Sequence, residues 1–284
     1  MKFPRFVLLL PLLAAMSLSG QEKPAAVPPP VFGSRVVHFA ELKAFDTGVG
    51  ERRDVANNPT ATLERFECHI SVLNPSRISH PPHTHPQEEL IILREGTLDV
   101  NANGKVRRVG PGAFFFFRSN NPHNVSNNGA VPAKYFVFNF ATARTHTPPA
   151  VGAPTAAGEL ASTVLDWPQL PVQPTKNGER REVVDSPTAT LTHLECHVTT
   201  LNPGLAPHAA HHHPDEEIIL VKDGQLAVTI NGQTETAVAG DIAFFSSNDE
   251  HGLKNTGATP AVYYVVRVAT EKTPPAAPKV ATAN

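Results

Sequence analysis

Three histidines and one carboxylate occur twice in this chain at a single spacing. His83, His85, Glu89 and His123 return as His211, His213, Glu217 and His251, and Gly96, Gly112 and Asn127 return as Gly224, Gly240 and Asn255. One constant interval separates the members of every pair, so no insertion or deletion falls between them. Imidazole and carboxylate are donors to divalent transition metals. Three nitrogens and one oxygen hold such an ion while leaving coordination positions open, which is what a reactive site needs. The set predicts two metals per chain. A carboxylate that lets go of a cation can also act as a base, so Glu89 and Glu217 are candidate catalytic residues as well as candidate ligands.

These side chains must be positioned by strands. His83 and His85 are two apart and share one face of an extended segment. Glu89 has the same parity, but a straight strand would carry it ~13 Å beyond His85 at ~3.3 Å per residue. The chain must therefore bend, and Pro86 and Pro214 stand where the bend is required. His123 and His251 must arrive from separate strands. The surroundings read the same way: Leu90-Ile91-Ile92-Leu93, Leu98-Asp99-Val100, Phe114 to Phe117 and Tyr135 to Phe140 are short apolar runs between turns. Asn103-Gly104 and Asn231-Gly232 are hairpin signals. With 28 prolines and poor helical periodicity, the expected class is all-β, a sandwich or barrel.

The repeat extends well beyond the histidines. Glu51-Arg52-Arg53 returns as Glu179-Arg180-Arg181, Pro59-Thr60-Ala61-Thr62-Leu63 as Pro187-Thr188-Ala189-Thr190-Leu191, and Glu67-Cys68-His69 as Glu195-Cys196-His197. In 284 residues this leaves room for two domains of ordinary size, expected at 35–142 and 163–270. Pro/Ala-rich stretches read as a tether at 21–34, a linker at 143–162 and a tail at 271–284. With 24 basic and 26 acidic side chains and no basic run, nucleic-acid and anionic-membrane binding are not expected. The expected partner is a small-molecule substrate, and a homo-oligomer is left open. Residues 1–20 read as an export signal, with Lys2 and Arg5 ahead of an apolar stretch from Phe6 to Ala15 that is short for a membrane span. The mature protein is then expected in the periplasm or outside the cell, free of the membrane.

The pattern His-x-His-x-x-x-Glu-x-x-x-x-x-x-Gly, followed by Gly…His-x-x-x-Asn, resembles the two motifs of the cupin superfamily. Both stand in both halves, so the chain resembles a bicupin. The resemblance implies two tandem jelly-roll (double-stranded β-helix) barrels with one metal in each, Mn or Fe first, with Ni, Co, Cu or Zn also compatible. Arg77 and Leu205 replace the glycine that usually opens the first motif. Asn120-Asn121-Pro122 and Asn248-Asp249-Glu250 replace the usual Pro-x-Gly turn.

Neighbouring residues carry their own expectations. Glu88 and Glu216 lie off the ligand parity and are expected to be exposed or to support the ligands. His80 and His208 either orient ligands or are plain loop histidines, and His212 points away. Cys68 and Cys196 fall on the apolar side of their strands, expected as a buried thiol in each barrel; export leaves an interdomain disulfide open. His69 and His197, opposite the cysteines, are expected to face outward. His38, His146 and His193 have no counterparts.

Three functions follow. The first is a metal-dependent oxidoreductase, dioxygenase-like, acting on a small oxygen-rich or aromatic enol; Phe114 to Phe117, Phe136, Phe138 and Phe140 could make an apolar cavity for an aromatic ring or simply a packed core. The second is a lyase resembling the oxalate-degrading bicupins. The third is a module that binds a metal and a sugar or acid without turnover. Tyr263, Tyr264 and Val266, in place of Tyr135, Phe136 and Phe138, are expected to alter the polarity of the second cavity.

Overall fold

The computed structural model describes residues 30–276. The expected export signal at 1–20, most of the expected tether and the end of the tail lie outside the described residues. Strands dominate, and the helical elements among the described residues are short 3-10 turns at Phe39–Glu41, Ala143–His146 and Trp167–Gln169. No helix in that span is long and apolar enough to cross a membrane.

Each half is a pair of facing antiparallel sheets. In the first, the large sheet runs in spatial order through Thr163–Leu165, Phe114–Phe117, Glu88–Glu95, Ala133–Ala141, Arg65–Leu73, Gly50–Asn58 and Phe45–Asp46. The small sheet opposite it comprises Arg77–Ile78, His123–Asn127, Leu98–Ala102 and Lys105–Val109. The second half repeats this plan, its large sheet beginning at Arg35–Val37 and Ile242–Phe245. Both Asn-Gly hairpins form as two-residue turns. Asn103 and Gly104 (φ 52° and 79°), like Asn231 and Gly232 (φ 47° and 81°), take the left-handed conformation that this turn demands. The chain is therefore all-β, two tandem jelly-roll barrels.

An edge strand is exchanged between the halves. Arg35–Val37 pairs with Phe244, Ala243 and Ile242 of the second barrel, whereas Thr163–Leu165 pairs with Phe116, Phe115 and Phe114 of the first. Each exchange covers a sheet edge that would otherwise offer unpaired backbone groups.

Apolar side chains on the large sheets alternate between two cores. Ile91, Leu93, Phe115, Phe117, Tyr135 and Val137 fill the first barrel, with Ile219, Val221, Phe245, Tyr263 and Val265 among their counterparts in the second. The opposite faces of the two large sheets meet in a shared third core, which holds Phe66, Leu90, Phe114, Phe138, Phe244 and Val266. Phe66 and Phe244, one from each half, stack with ring centroids 5.5 Å apart.

This third core bears out the packed-core reading of the phenylalanines and corrects other expectations. Phe114, Phe116, Phe136, Phe138 and Phe140 join the barrels to each other and form no aromatic-substrate cavity. Tyr264 and Val266 also lie in it, and the Tyr264 hydroxyl donates to the Gly112 carbonyl of the other half at 2.6 Å. Cys68 and Cys196 are buried free thiols, as expected, but in the shared core and not one inside each barrel; no disulfide joins them.

Glu88 and Glu216 are neither exposed nor beside the ligands. Both are fully buried and reach into the other half. Glu88 accepts from the Thr188 hydroxyl, the Thr190 hydroxyl (2.8 Å), the Ala189 N–H (3.0 Å) and the Thr190 N–H (3.3 Å). Glu216 accepts from the Thr60 hydroxyl (2.7 Å) and the Thr62 N–H (3.3 Å). The repeated Pro-Thr-Ala-Thr-Leu segment is thus a socket for the glutamate of the opposite barrel. A buried carboxylate survives only where such donors replace water.

Candidate metal centres

The ligand candidates converge because strand pairing places them. His83 and His123 face each other across an isolated antiparallel bridge, and His211 and His251 do the same. Reciprocal backbone hydrogen bonds of 3.2 and 3.0 Å hold the first pair, and bonds of 3.0 and 2.8 Å hold the second. The turn before the last histidine lacks Pro-x-Gly, yet Asn120 and Asn248 take φ of 56° and 63°, a conformation that asparagine tolerates better than most residues. Their N–H groups donate to the His85 and His213 carbonyls at 2.9 Å, tying the two motif segments together. Asn127 and Asn255 complete the frame. Each side-chain amide donates to two backbone carbonyls, Leu73 and Val131 or Leu201 and Thr259.

Each trio, His83-His85-His123 and His211-His213-His251, offers nitrogens that all lie within 4.8 Å of one another. The carboxylates stand beside them. Glu89 oxygens lie 3.7 Å from His85 Nε2 and 3.5 Å from His123 Nε2. Those of Glu217 lie 3.1 Å from His213 Nε2 and 3.9 Å from His251 Nε2. Phe117 and Phe245 stack on His123 and His251 with ring centroids 4.2 Å apart and fix the ring planes.

Hydrogen bonding selects the tautomer. Nδ1 of His83, His85 and His123 donates to the carbonyls of His123, Gln87 and Asn121 at 3.1, 2.9 and 2.8 Å. His213 and His251 donate likewise to Asp215 and Asp249. A carbonyl only accepts, so the proton sits on Nδ1 and Nε2 of His83, His123 and His251 presents a lone pair, whereas Nε2 of His213 faces Glu217 Oε2 at 3.1 Å, a contact in which a metal ion would take the place of the shared proton. Nε2 of His123 and of His251 is buried with no hydrogen-bond partner, a costly arrangement for a polar atom unless something else binds it. His211 differs from its counterpart, because its Nδ1 is buried and lacks a partner.

At His83, His123, His211, His251, Glu89 and Glu217, though not at His85, electrostatics favour the protonation states a cation requires. Burial pushes His123 down to about 4, and burial together with the neighbouring His208 does the same to His211. Burial also lowers His83 and His251. Burial would lower His85 as well, but the hydrogen bond and charge of Glu89 outweigh it and raise the group. Burial would raise Glu89 and Glu217, and the histidines around them reverse this, holding both below the usual carboxylate range. These two histidine-rich groups could hold divalent metal ions.

The surroundings revise the expectations for other residues. His80 and His208 stand edge-on to the first histidine of each trio, with centroids 4.0 and 4.3 Å away, and make no hydrogen bond to it. His212 is exposed and points away, as expected. His69 and His197 do not face outward. Since Cys68 and Cys196 face the shared core, the opposite side of those strands faces the barrel interior, and His69 lines the same cavity as Glu89 and His123. His197 lines the cavity of His211, Glu217 and His251. The sequence carried this signal: Leu90-Ile91-Ile92-Leu93 and Phe114 to Phe117 are apolar at both parities, the mark of a sheet buried on both faces.

The two cavities differ. The first centre lies between a cavity of about 210 Å³, lined by Glu89 and His123, and a space of about 330 Å³, lined by His83, His85 and Glu89, whereas the ligand candidates of the second centre all line one cavity of about 450 Å³. Asn124 lines the first cavity where Gly252 lines the second, and Lys176 and Arg267 line the second where the first half has Gly48 and Asn139. The expected difference from Tyr264 and Val266 therefore does not arise, and it is these other residues that separate the cavities.

Among solved structures, AerE from Microcystis aeruginosa superposes with a TM-score of 0.61 at 14% identity, over 80% of this chain and 96% of its own. The oxalate decarboxylase of Lactobacillus farciminis, solved as a formate complex, gives 0.62 at 16% identity over 85% of this chain and 89% of its own. The protein Ylba from E. coli gives 0.66 at 12% identity, over 86% and 95%. No curated protein sequence matches this chain. The sequence profile of the Cupin domain matches residues 69–139 and again residues 197–267, two stretches that together make up half of the chain. With both motifs doubled and two jelly-roll barrels built around them, the chain belongs to the cupin family and carries the domain twice.

Proposed function

We propose that each barrel holds one divalent transition metal, Mn or Fe, through Nε2 of its three histidines and through Glu89 or Glu217. The protein is then a metal-dependent oxidoreductase, dioxygenase-like, acting on a small oxygen-rich substrate with an enol or vicinal oxygens. One observation carries the metal reading: Nε2 of His123 and of His251 is buried and unpartnered while Nδ1 is tied to a carbonyl. The bound ion would polarise a substrate oxygen and stabilise negative charge on it. The protein's part is to fix the imidazoles through backbone carbonyls, to hold the carboxylate ionised and to limit the substrate's size. Because most of the phenylalanines face the shared core, a small polar enol or hydroxy acid suits these cavities better than an aromatic one.

A second reading, decarboxylation of a small dicarboxylate, draws support from Lys176 and Arg267 in the larger cavity, two cationic side chains whose counterparts in the first half are Gly48 and Asn139. The two readings separate in one experiment. Protein reconstituted with Mn or Fe is offered small enols, hydroxy acids and dicarboxylates while dioxygen uptake and carbon dioxide release are followed together. Uptake of dioxygen supports the first reading, and release of carbon dioxide without net uptake supports the second. Tight binding without turnover would make the protein a binding module. We also propose export, on the strength of Lys2, Arg5 and the apolar stretch from Phe6 to Ala15. Intact Met1 on protein recovered from a soluble cytoplasmic fraction would overturn this.

A further inference from the structure

Each barrel carries a second histidine–carboxylate unit beside its trio. His69 Nδ1 lies 2.7 Å from Glu67 Oε1, and His197 Nδ1 lies 2.5 Å from Glu195 Oε1. The carboxylates are clamped from behind. Arg52 Nη2 donates to Glu67 Oε1 at 2.7 Å, and Asn139 Nδ2 donates to Oε2 at 2.7 Å. Arg180 Nη2 donates to Glu195 Oε1 at 3.1 Å. Both histidine side chains are largely buried, at 12% exposure, yet both line the cavities described above.

An ionised carboxylate only accepts hydrogen bonds, so the imidazole proton facing it must sit on Nδ1. Nε2 is then a lone pair. No hydrogen bond from the protein reaches Nε2 of either residue among the described residues, and neither atom is among the fully buried unpartnered ones, so both are accessible, on rings that line the cavities. Burial works to raise Glu67, but the bond to His69, the Asn139 amide and the Arg52 charge hold it down to about 2, so it stays ionised and cannot take over the proton.

We propose that His69 and His197 are the proton acceptors of their barrels: Nε2 removes the hydroxyl proton of an enol or hydroxy acid bound in the cavity, while Glu67 and Glu195 hold the ring and stabilise its cationic form. In this step the substrate O–H bond breaks, an Nε2–H bond forms, and the electron pair stays on the substrate oxygen. The Nδ1 proton remains between ring and carboxylate. Orientation by a buried carboxylate keeps the ring in the accepting tautomer and supports the imidazolium. This leaves Glu89 and Glu217 free to remain beside their histidines. The assignment rests on the reading of the two cavities as substrate sites.

Other titratable groups share these cavities, Glu51, His80 and His123 with His69, and Lys176, Glu179, His208 and the second histidine trio with His197. Asp54 and Glu182 sit across from His69 and His197 on the neighbouring strand, and Arg52 and Arg180 pair with them. On the other side the strand partners are Val137 and Val265, with Glu89, Glu217 and Arg267 farther along the cavity wall.

The test uses the full chain, labelled with 15N at histidine and loaded with zinc. Long-range 1H–15N correlation spectra read the tautomer of every ring, with His69→Asn and His197→Asn variants assigning the signals. At neutral pH both residues are expected to show a protonated Nδ1 and a bare Nε2. Saturating glycolate, as a hydroxy-acid probe, is expected to move Nε2 toward its protonated shift in at least one barrel. Glu67→Gln or Glu195→Gln should abolish that response in its own barrel while two equivalents of zinc remain bound. A proton resting on Nε2 in the free protein, or no movement with glycolate in either barrel, would overturn the assignment. Failure of zinc to bind would instead count against the metal reading, and the tautomers of His69 and His197 would still be read from the metal-free protein.

Discussion

The Thr188 hydroxyl donates to Glu88 Oε2 across the boundary between the two barrels, and its counterpart Thr60 Oγ1 makes the equivalent bond to Glu216 Oε2 at 2.7 Å. The two glutamates directly precede Glu89 and Glu217. One strand therefore sends one carboxylate to its own histidine trio and the next into the opposite barrel, so the geometry of each site is braced by the other half.

Removing that brace strands buried donors. Glu88→Ala would leave two hydroxyls and two N–H groups of the Thr188-Ala189-Thr190 socket without an acceptor, at about 1–3 kcal/mol for each group that stays unsatisfied. A loss of several kcal/mol in urea unfolding is expected. Glu88→Gln should cost less but still destabilise, because its amide nitrogen would face a donor. Wild-type stability in both variants would refute the socket.

Each trio should hold its own ion. His123→Ala and His251→Ala are each expected to lose about one equivalent of metal by elemental analysis and to retain the other. Metal should raise the melting temperature of the wild-type protein, and less so in each variant, since an ion that binds only the folded state stabilises it. Simultaneous loss of both equivalents in either variant would mean the sites are not independent.

Acid should weaken the protein partly through Glu67. Its folded value of about 2 lies below the ordinary carboxylate range, so its contribution is present above that range and is lost as pH falls through the folded value. The corresponding stability is roughly 3 kcal/mol at most, reduced by whatever solvent screening this largely buried side chain retains. Glu67→Gln should therefore lose stability at pH 7 and approach the wild type near pH 2. An equal deficit at both pH values would point to packing alone.

His38 should make docking of the exchanged arm depend on pH in the opposite sense. Its hydrogen bonds to Asp241 and Glu235, at 2.9 and 2.8 Å, raise it above the ordinary histidine value. The stabilisation is present below that ordinary value and is lost as pH rises through the raised one. Amide exchange in Arg35–Val37, corrected for its intrinsic pH dependence, is expected to show less protection above that range. The change should be absent in His38→Ala.

Much of this was legible in the residues. Asn103-Gly104 and Asn231-Gly232 announce hairpins because few other dipeptides accept two left-handed conformations in succession. The ligand candidates stand out because their spacing is repeated without slippage. The assignment of faces was harder. Leu90-Ile91-Ile92-Leu93 shows that both faces are buried, but alternation alone does not say which face meets the barrel interior and which meets the other half. That ambiguity misplaced His69, because the face on which Cys68 is buried meets the other half and the opposite face lines the barrel. The role of Thr188 and Thr190 was hidden for another reason: their partner lies about a hundred residues away, and threonine carries no chemical signature of its own.

The exchanged edge strands couple the fates of the two barrels. A protease cutting between residues 146 and 160 would release two fragments, each bearing its sibling's border strand and lacking its own. Neither piece could close its sheet except by finding the other. Damage to one barrel is therefore inherited by its twin, which gives selection a reason to keep both on a single polypeptide even if only one of them ever turns over a substrate.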